Sequence, residues 1–222
     1  LQKYILILIT TLLIGCSTTR NNFFSRNYHQ TTTKYNGFFN AKESMKKGLE
    51  KNLNSYSENY QNIIPINPLF NIYKSEEPKD AYPNFDRVIE KTVKVIRKHS
   101  MEIGEKEINK WIDDNYFLMA QARFYKQDYQ AAINTFNYII RKYPKSKLSN
   151  KSLIWSTKAH IKLNNLQTAE KNLNFLLVES SLSSSDQRLL YELLAEYHIL
   201  NKDYTKGITA INNSFNGKEK RE

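Results

Sequence analysis

Residues 111–144, WIDDNYFLMAQARFYKQDYQAAINTFNYIIRKYP, decide the fold. Tyr116, Met119, Ala120 and Arg123 fall three or four apart and share one face of a 3.6-residue period, which predicts a helix. Ala132 and Phe136 repeat that spacing in a second run, which Pro144 ends. Asp128-Tyr129 marks a tight turn between the two, so the stretch is an antiparallel helical hairpin. Ala120 and Ala132 carry a packing role, because only a small side chain lets two helix backbones approach closely. Two further hairpins follow, at about 150–179 and 185–217. The first places Ala159 in its opening helix and Ala169, Leu173 and Leu176 in its second. The other has Ala195 in its opening helix, Asp203-Tyr204 at the turn, and Gly207 and Ile211 beyond it, with Ser184 and Gln187 spaced as a capping box. Ala132, Ala169 and Gly207 recur at intervals of 37 and 38 residues, so one unit is repeated.

The order of aromatic, apolar and small residues, a turn, Ala-x-x-x-Phe and a closing Pro resembles the tetratricopeptide repeat. Arg123 departs from it, standing where that repeat usually carries an aromatic. The resemblance implies stacked hairpins in a right-handed solenoid, with Ala120, Ala132, Phe136, Pro144, Ala159, Ala169, Ala195 and Gly207 as repeat-packing positions.

Composition agrees with an all-α class. The 222 residues are 40% hydrophobic and 25% charged, with only 6 Gly and 5 Pro, leaving little with which to build or turn strands. The 15 Tyr and 11 Phe suit aromatic packing between neighbouring hairpins. A formal charge of +11 raises the question of a nucleic-acid partner, which the N-terminus answers.

Residues 1–15, LQKYILILITTLLIG, form an apolar run too short to span a membrane permanently, with Lys3 near its start, as in a secretory signal. Leu13-Ile14-Gly15-Cys16 looks like a bacterial lipobox, which implies acylation of Cys16, the only cysteine. An exported protein does not normally meet the chromosome, so no nucleic acid is expected. The basic charge then points to anionic lipid head groups or acidic envelope proteins. After a tether at 16–22, residues 23–54 are expected to form a degenerate helical hairpin turning at Gly37-Phe38, with Ala41, Met45 and Gly48 in its second helix. Residues 55–83 contain four prolines and no sustained period, which predicts a connection anchored by Ile63, Ile64, Leu69 and Phe70. A helix resumes at Asn84–Ser100, with Phe85, Val88, Ile89, Val93 and Ile96 on one face. It opens the repeat region 84–222, whose last apolar face (Ile208, Ile211, Phe215) calls for a further cap, so the array is expected to continue past Glu222.

Some strings go beyond the generic repeat: CSTTRNNFFSRNYHQTTTKYNGFFNAKES from Cys16, VIRKHSM at 95–101, and KWIDDNYFLMAQARFYKQDYQAAINTFNYIIRKYP at 110–144. They resemble the N-terminal part of the tetratricopeptide lipoproteins of gliding motility and the type IX secretion system. The resemblance implies a non-catalytic scaffold in the cell envelope, anchored through Cys16 in the outer membrane and facing the periplasm. Its partners would be envelope proteins of a secretion and motility complex. The alternative is a tetratricopeptide lipoprotein of outer-membrane β-barrel assembly.

No motif for chemistry stands out. His29, His99, His160 and His198 are scattered without HExxH spacing, so no metal is expected. Asp113 and Asp114 are adjacent and diverge by about 100° on a helix, unsuited to paired acid and base work. There is no phosphate-binding glycine loop or nucleophile motif, hence no cofactor and no small-molecule substrate is expected. Partner contacts are assigned instead to the inner face of the stack: Asp114, Phe117, Gln121, Tyr125, Lys158, Lys162, Glu192 and Glu196. The i, i+4 pairs Lys158/Lys162 and Glu192/Glu196 predict a positive strip beside a negative one.

Overall fold

The computed structural model describes residues 17–61, 63–70, 79–179 and 181–216. Cys16 and the apolar run before it lie outside these residues. The chain opens with α1 (Phe23–Thr32), a π-helical segment (Thr33–Phe38) and α2 (Phe39–Asn54). Next come α3 (Tyr82–His99) and a small β-ladder of β1 (Glu102–Ile103) with β2 (Lys106–Glu107). Three hairpins complete it: α4 (Ile112–Tyr125) with α5 (Tyr129–Lys142), α6 (Leu148–Lys162) with α7 (Leu166–Val178), and α8 (Ser184–Leu200) with α9 (Tyr204–Asn216). From α2 onward each helix packs on the next, and the opening helices of successive hairpins also touch, α4 on α6 and α6 on α8. That is the contact pattern of an all-α helical-repeat solenoid, in which each unit buries its apolar face on its neighbours.

The three hairpins share one turn. Gln127, Asn164 and Lys202 stand at φ of 64°, 57° and 62°, in the left-handed region where a helix commonly ends. The amides of Asp128, Asn165 and Asp203 then donate back to the carbonyls of Arg123, His160 and His198 at 3.0, 2.9 and 2.9 Å. These turns repeat at 37 and 38 residues, like the small residues. Ala120, Ala132, Phe136, Ala159, Ala169 and Ala195 are fully buried in the helix crossings. At Gly207 an added Cβ would lie 2.9 Å from Ile199 Cγ1. Pro144 is exposed and follows the end of α5 at Lys142. Arg123 has its own use in place of an aromatic, since its Nη1 donates to Thr135 Oγ1 at 2.6 Å and so ties α4 to α5.

Residues 23–54 are not a hairpin. Thr32, Thr33, Phe38 and Phe39 all keep right-handed helical dihedrals, so α1, the π segment and α2 form one uninterrupted helix. Gly37 serves close approach rather than a turn, because a Cβ there would stand 2.0 Å from Val95 Cγ2 of α3. Gly48 plays the same part against Phe85, at 2.5 Å from its Cε1. Gly37→Ala should therefore destabilise the protein by about 1–3 kcal/mol through overpacking. Urea melts should show Val95→Ala restoring most of that loss in the double variant, and no recovery would mean the strain lies elsewhere.

Polar groups hold α1 down. Asn109, almost fully buried, donates through Nδ2 to Thr33 Oγ1 at 2.8 Å and to the His99 carbonyl at 2.9 Å. His29 and His99 meet Nδ1 to Nδ1 at 2.9 Å. Glu107 Oε1 accepts from the amides of Met101 and Asn109, both at 2.8 Å, and clamps the β-ladder onto the end of α3. That ladder turns through Gly104 and Glu105, both at positive φ, in a chain whose composition argued against strands.

Other expectations shift by small amounts. On α3 the buried residues are Phe85, Val88, Thr92 and Val95, whereas Val93 is exposed. α8 is capped by Ser183, one residue before the predicted box, and its Oγ accepts from the Asp186 amide at 3.2 Å. In the connection Ile63 and Ile64 are exposed, the anchors are Pro65, Ile66 and Leu69, and Phe70's side chain lies outside the described set.

Candidate functional site

The inner face is built by α4, α6 and α8, whose mutual packing brings the predicted contact residues onto one side of the stack. Four of the eight are accessible at least in part: Asp114, Gln121, Lys162 and Glu192. The other four are buried. Phe117 and Tyr125 belong to the core, where Phe117 meets Phe136 and Trp155 and Tyr125 stacks on Phe85 at 5.5 Å between ring centroids. Tyr125 points inward because α3 packs against α4 there, and Phe117 because α5 and α6 close over it. Lys158 and Glu196 are 4% and 1% exposed, which removes them from any open groove.

Those two buried charges do not form opposed surface strips. The Lys158 ammonium lies 4.8 Å over the Trp155 ring and within the field of Glu192 and Glu196. Burial lowers its pKa to about 8, an effect that the two carboxylates oppose and Lys151 reinforces. Glu196 has a second duty: its Oε1 accepts the backbone N–H of Ile66 at 2.7 Å, across 130 residues of sequence. Pro65 beside it is buried, and the 3-10 turn Pro68–Phe70 rests on α2. The chain's own connection therefore lies on the inner face and is held there by a charge-assisted hydrogen bond to a main-chain amide. Such a contact reads a main-chain amide rather than a particular side chain. Periodicity could not find it, since no local signal links residue 66 to residue 196.

At the other end of the face Asp114 has its pKa raised to about 6, first by burial and then by the charge of Asp113, with Lys147 acting in the opposite direction. Asp113, in the first turn of α4, accepts from the Asp114 amide at 3.0 Å and from Ser146 Oγ at 2.6 Å, which ties α4 to the connection before α6. Because the folded pKa of Asp114 exceeds the unfolded one, the folded chain holds its proton more tightly, and stability falls as pH rises from about 4 to about 6. Asp114→Asn should remove that slope, so wild type and variant should differ less in urea midpoint at pH 4 than at pH 7.

A hollow of about 630 Å³ lies between the two inter-hairpin connections, rimmed by Lys145, Lys147, Lys151 and Asp186. Its lining mixes these lysines with Glu179, Asp186 and several serines. Among the described residues no group of three or more His, Cys, Asp or Glu is placed to hold a metal ion, and no helix is long and apolar enough to cross a membrane. No model of a known family matches the chain, and no curated protein matches it either.

Proposed function

We propose that the chain is a non-catalytic, lipid-anchored scaffold that binds proteins of the cell envelope through its helical-repeat stack, in type IX secretion and gliding motility. The observation that carries the binding role is the repeat stack itself, whose inner face leaves Asp114, Gln121, Lys162 and Glu192 accessible at least in part. The part of that face left open, with Gln121 and Glu192 part-exposed on it, is where a partner segment would lie. The anchor rests on Leu13-Ile14-Gly15-Cys16 and the apolar run before it, and the choice of apparatus rests on the strings from Cys16, at 95–101 and at 110–144.

Two measurements test this reading. Cells given a labelled fatty acid should label the protein, and Cys16→Ser should lose the label and leave an uncleaved precursor. A photo-crosslinker at Gln121 or Glu192 in living cells should yield discrete adducts with secretion or motility components, and one at the exposed Lys171 should not. Adducts with β-barrel assembly proteins, or equal adducts from all three positions, would count against the assignment.

A further inference from the structure

The first part of the long helix is amphipathic the wrong way round for a water-exposed surface. Its inward side carries Ser25, His29 and Thr33, at 2%, 3% and 0% exposure. Its outward side carries Phe23, Phe24, Tyr28, Tyr35 and Phe39, at 66%, 79%, 50%, 66% and 54%. Residues 24, 28, 35 and 39 recur at helical spacing, so four of these rings form one stripe along the helix, with Phe23 beside its first turn. A contiguous outward apolar face of this kind marks a surface that something covers.

Two features say what covers it. Between Arg20 and Lys47 the chain carries Arg20, Arg26, Lys34, Lys42, Lys46 and Lys47 against Glu43 alone, so the stripe sits in a basic field. Aromatic rings on one face with lysine and arginine around them are the composition of a helix lying in a membrane interface. The second feature is position. Ser25 Oγ donates to the Ser17 carbonyl at 2.6 Å, and Asn22 Oδ1 accepts the Ser25 amide at 2.7 Å, so the residue after Cys16 is fastened to the first turn of α1. With acyl chains of Cys16 in the bilayer, Ser17 stands at head-group level, and the rings of Phe23 and Phe24 are carried there with it.

We propose that the outward face of α1 and the start of α2 is a membrane-seating surface, in which the aromatic stripe enters the head-group region of an anionic bilayer and the basic residues meet its phosphates. This rests on the acylation of Cys16 and goes further: a second, aromatic contact joins the acyl chains and orients the repeat stack relative to the membrane.

The acylated protein tests it, since the Cys16 sulfur is then blocked and an introduced cysteine takes a fluorophore alone. Labels at Phe24→Cys and Tyr28→Cys, in phosphatidylethanolamine and phosphatidylglycerol vesicles with brominated chains, should be quenched. A label at Phe175→Cys, exposed on α7, should not. If acylation is verified by mass and positions 24 and 28 stay as unquenched as 175, the surface faces water or a protein and the proposal is overturned. A second arm is independent of the lipid: the mature chain with Cys16→Ser, made without its leader, should partition onto phosphatidylglycerol vesicles. The added changes Phe24→Ser and Tyr28→Ser should weaken that by about tenfold or more, and salt should weaken it too. No partitioning, or equal partitioning of both chains, also overturns it. Should Cys16 prove unacylated, the anchor reading falls, and this second arm alone decides the surface.

Discussion

Lys158→Glu is expected to unfold much of the stability this protein has. The side chain is 4% exposed, and the carboxylates of Glu192 and Glu196 both act on it. Reversal would place a negative charge in a buried position beside the buried Glu196 and the part-exposed Glu192. Breaking a buried charge pair costs about 3–5 kcal/mol, a large share of a domain's typical net stability of about 5–15 kcal/mol. Lys158→Met should lose less, because it removes the desolvated ammonium as well as the attraction. The pH dependence separates the two contributions. The folded pKa of about 8 lies below the ordinary 10.5, so the unfolded chain holds the proton over a range where the folded one has released it. Wild type should therefore gain stability from this group as pH rises from 8 toward 10, and Lys158→Met should lack that gain. Urea midpoints at pH 7.5 and 9.5 would read both effects, and an unchanged midpoint for Lys158→Glu would mean the ammonium is not enclosed.

That expectation runs against what the spacing of charges suggests, and the reason marks where sequence reasoning ends. The hairpins between residues 111 and 217 were legible because their information is local. A 3.6-residue period, small residues at crossings, Asp or Asn after each turn and a fixed interval are all contained within a window of forty residues. Gly37 was misread since a glycine that admits Val95 and a glycine that permits a turn look the same without knowledge of α3. Lys158 and Glu196 have the spacing of a solvated face, and only the chain folding back at Ile66 shows them to be covered. The signal that could have been followed was Pro65 and Pro68 among apolar residues, the kind of irregular segment that lies down on helices. The polar seam joins His29 and His99, which lie in two of the strings that carried the family resemblance, to Asn109, one residue before the third, and it docks α1 against the end of α3.

Trp155→Ala should give the other large loss, and it tests how the hairpins are joined. The indole of α6 meets Phe117, Phe124 and Tyr125 of α4 and Phe136 of α5, with ring centroids 5.4 to 6.4 Å apart. One side chain thus fills the boundary between the first two hairpins, where nearest-neighbour interfaces supply the cooperativity of a repeat array. Truncation leaves a cavity lined by rigid rings that collapse poorly, at a cost of about 3–5 kcal/mol. Trp155→Phe should cost much less, because the indole N–H has no hydrogen-bond partner among the described residues and the lost volume is small. The loss should also be of a particular kind. With the interface weakened, residues 148–216 should exchange amide hydrogens at lower urea than residues 112–142, whereas in wild type the two groups open together. Coincident opening in Trp155→Ala, at whatever midpoint, would place the coupling between hairpins in other contacts, with the connection held by Glu196 the next to examine.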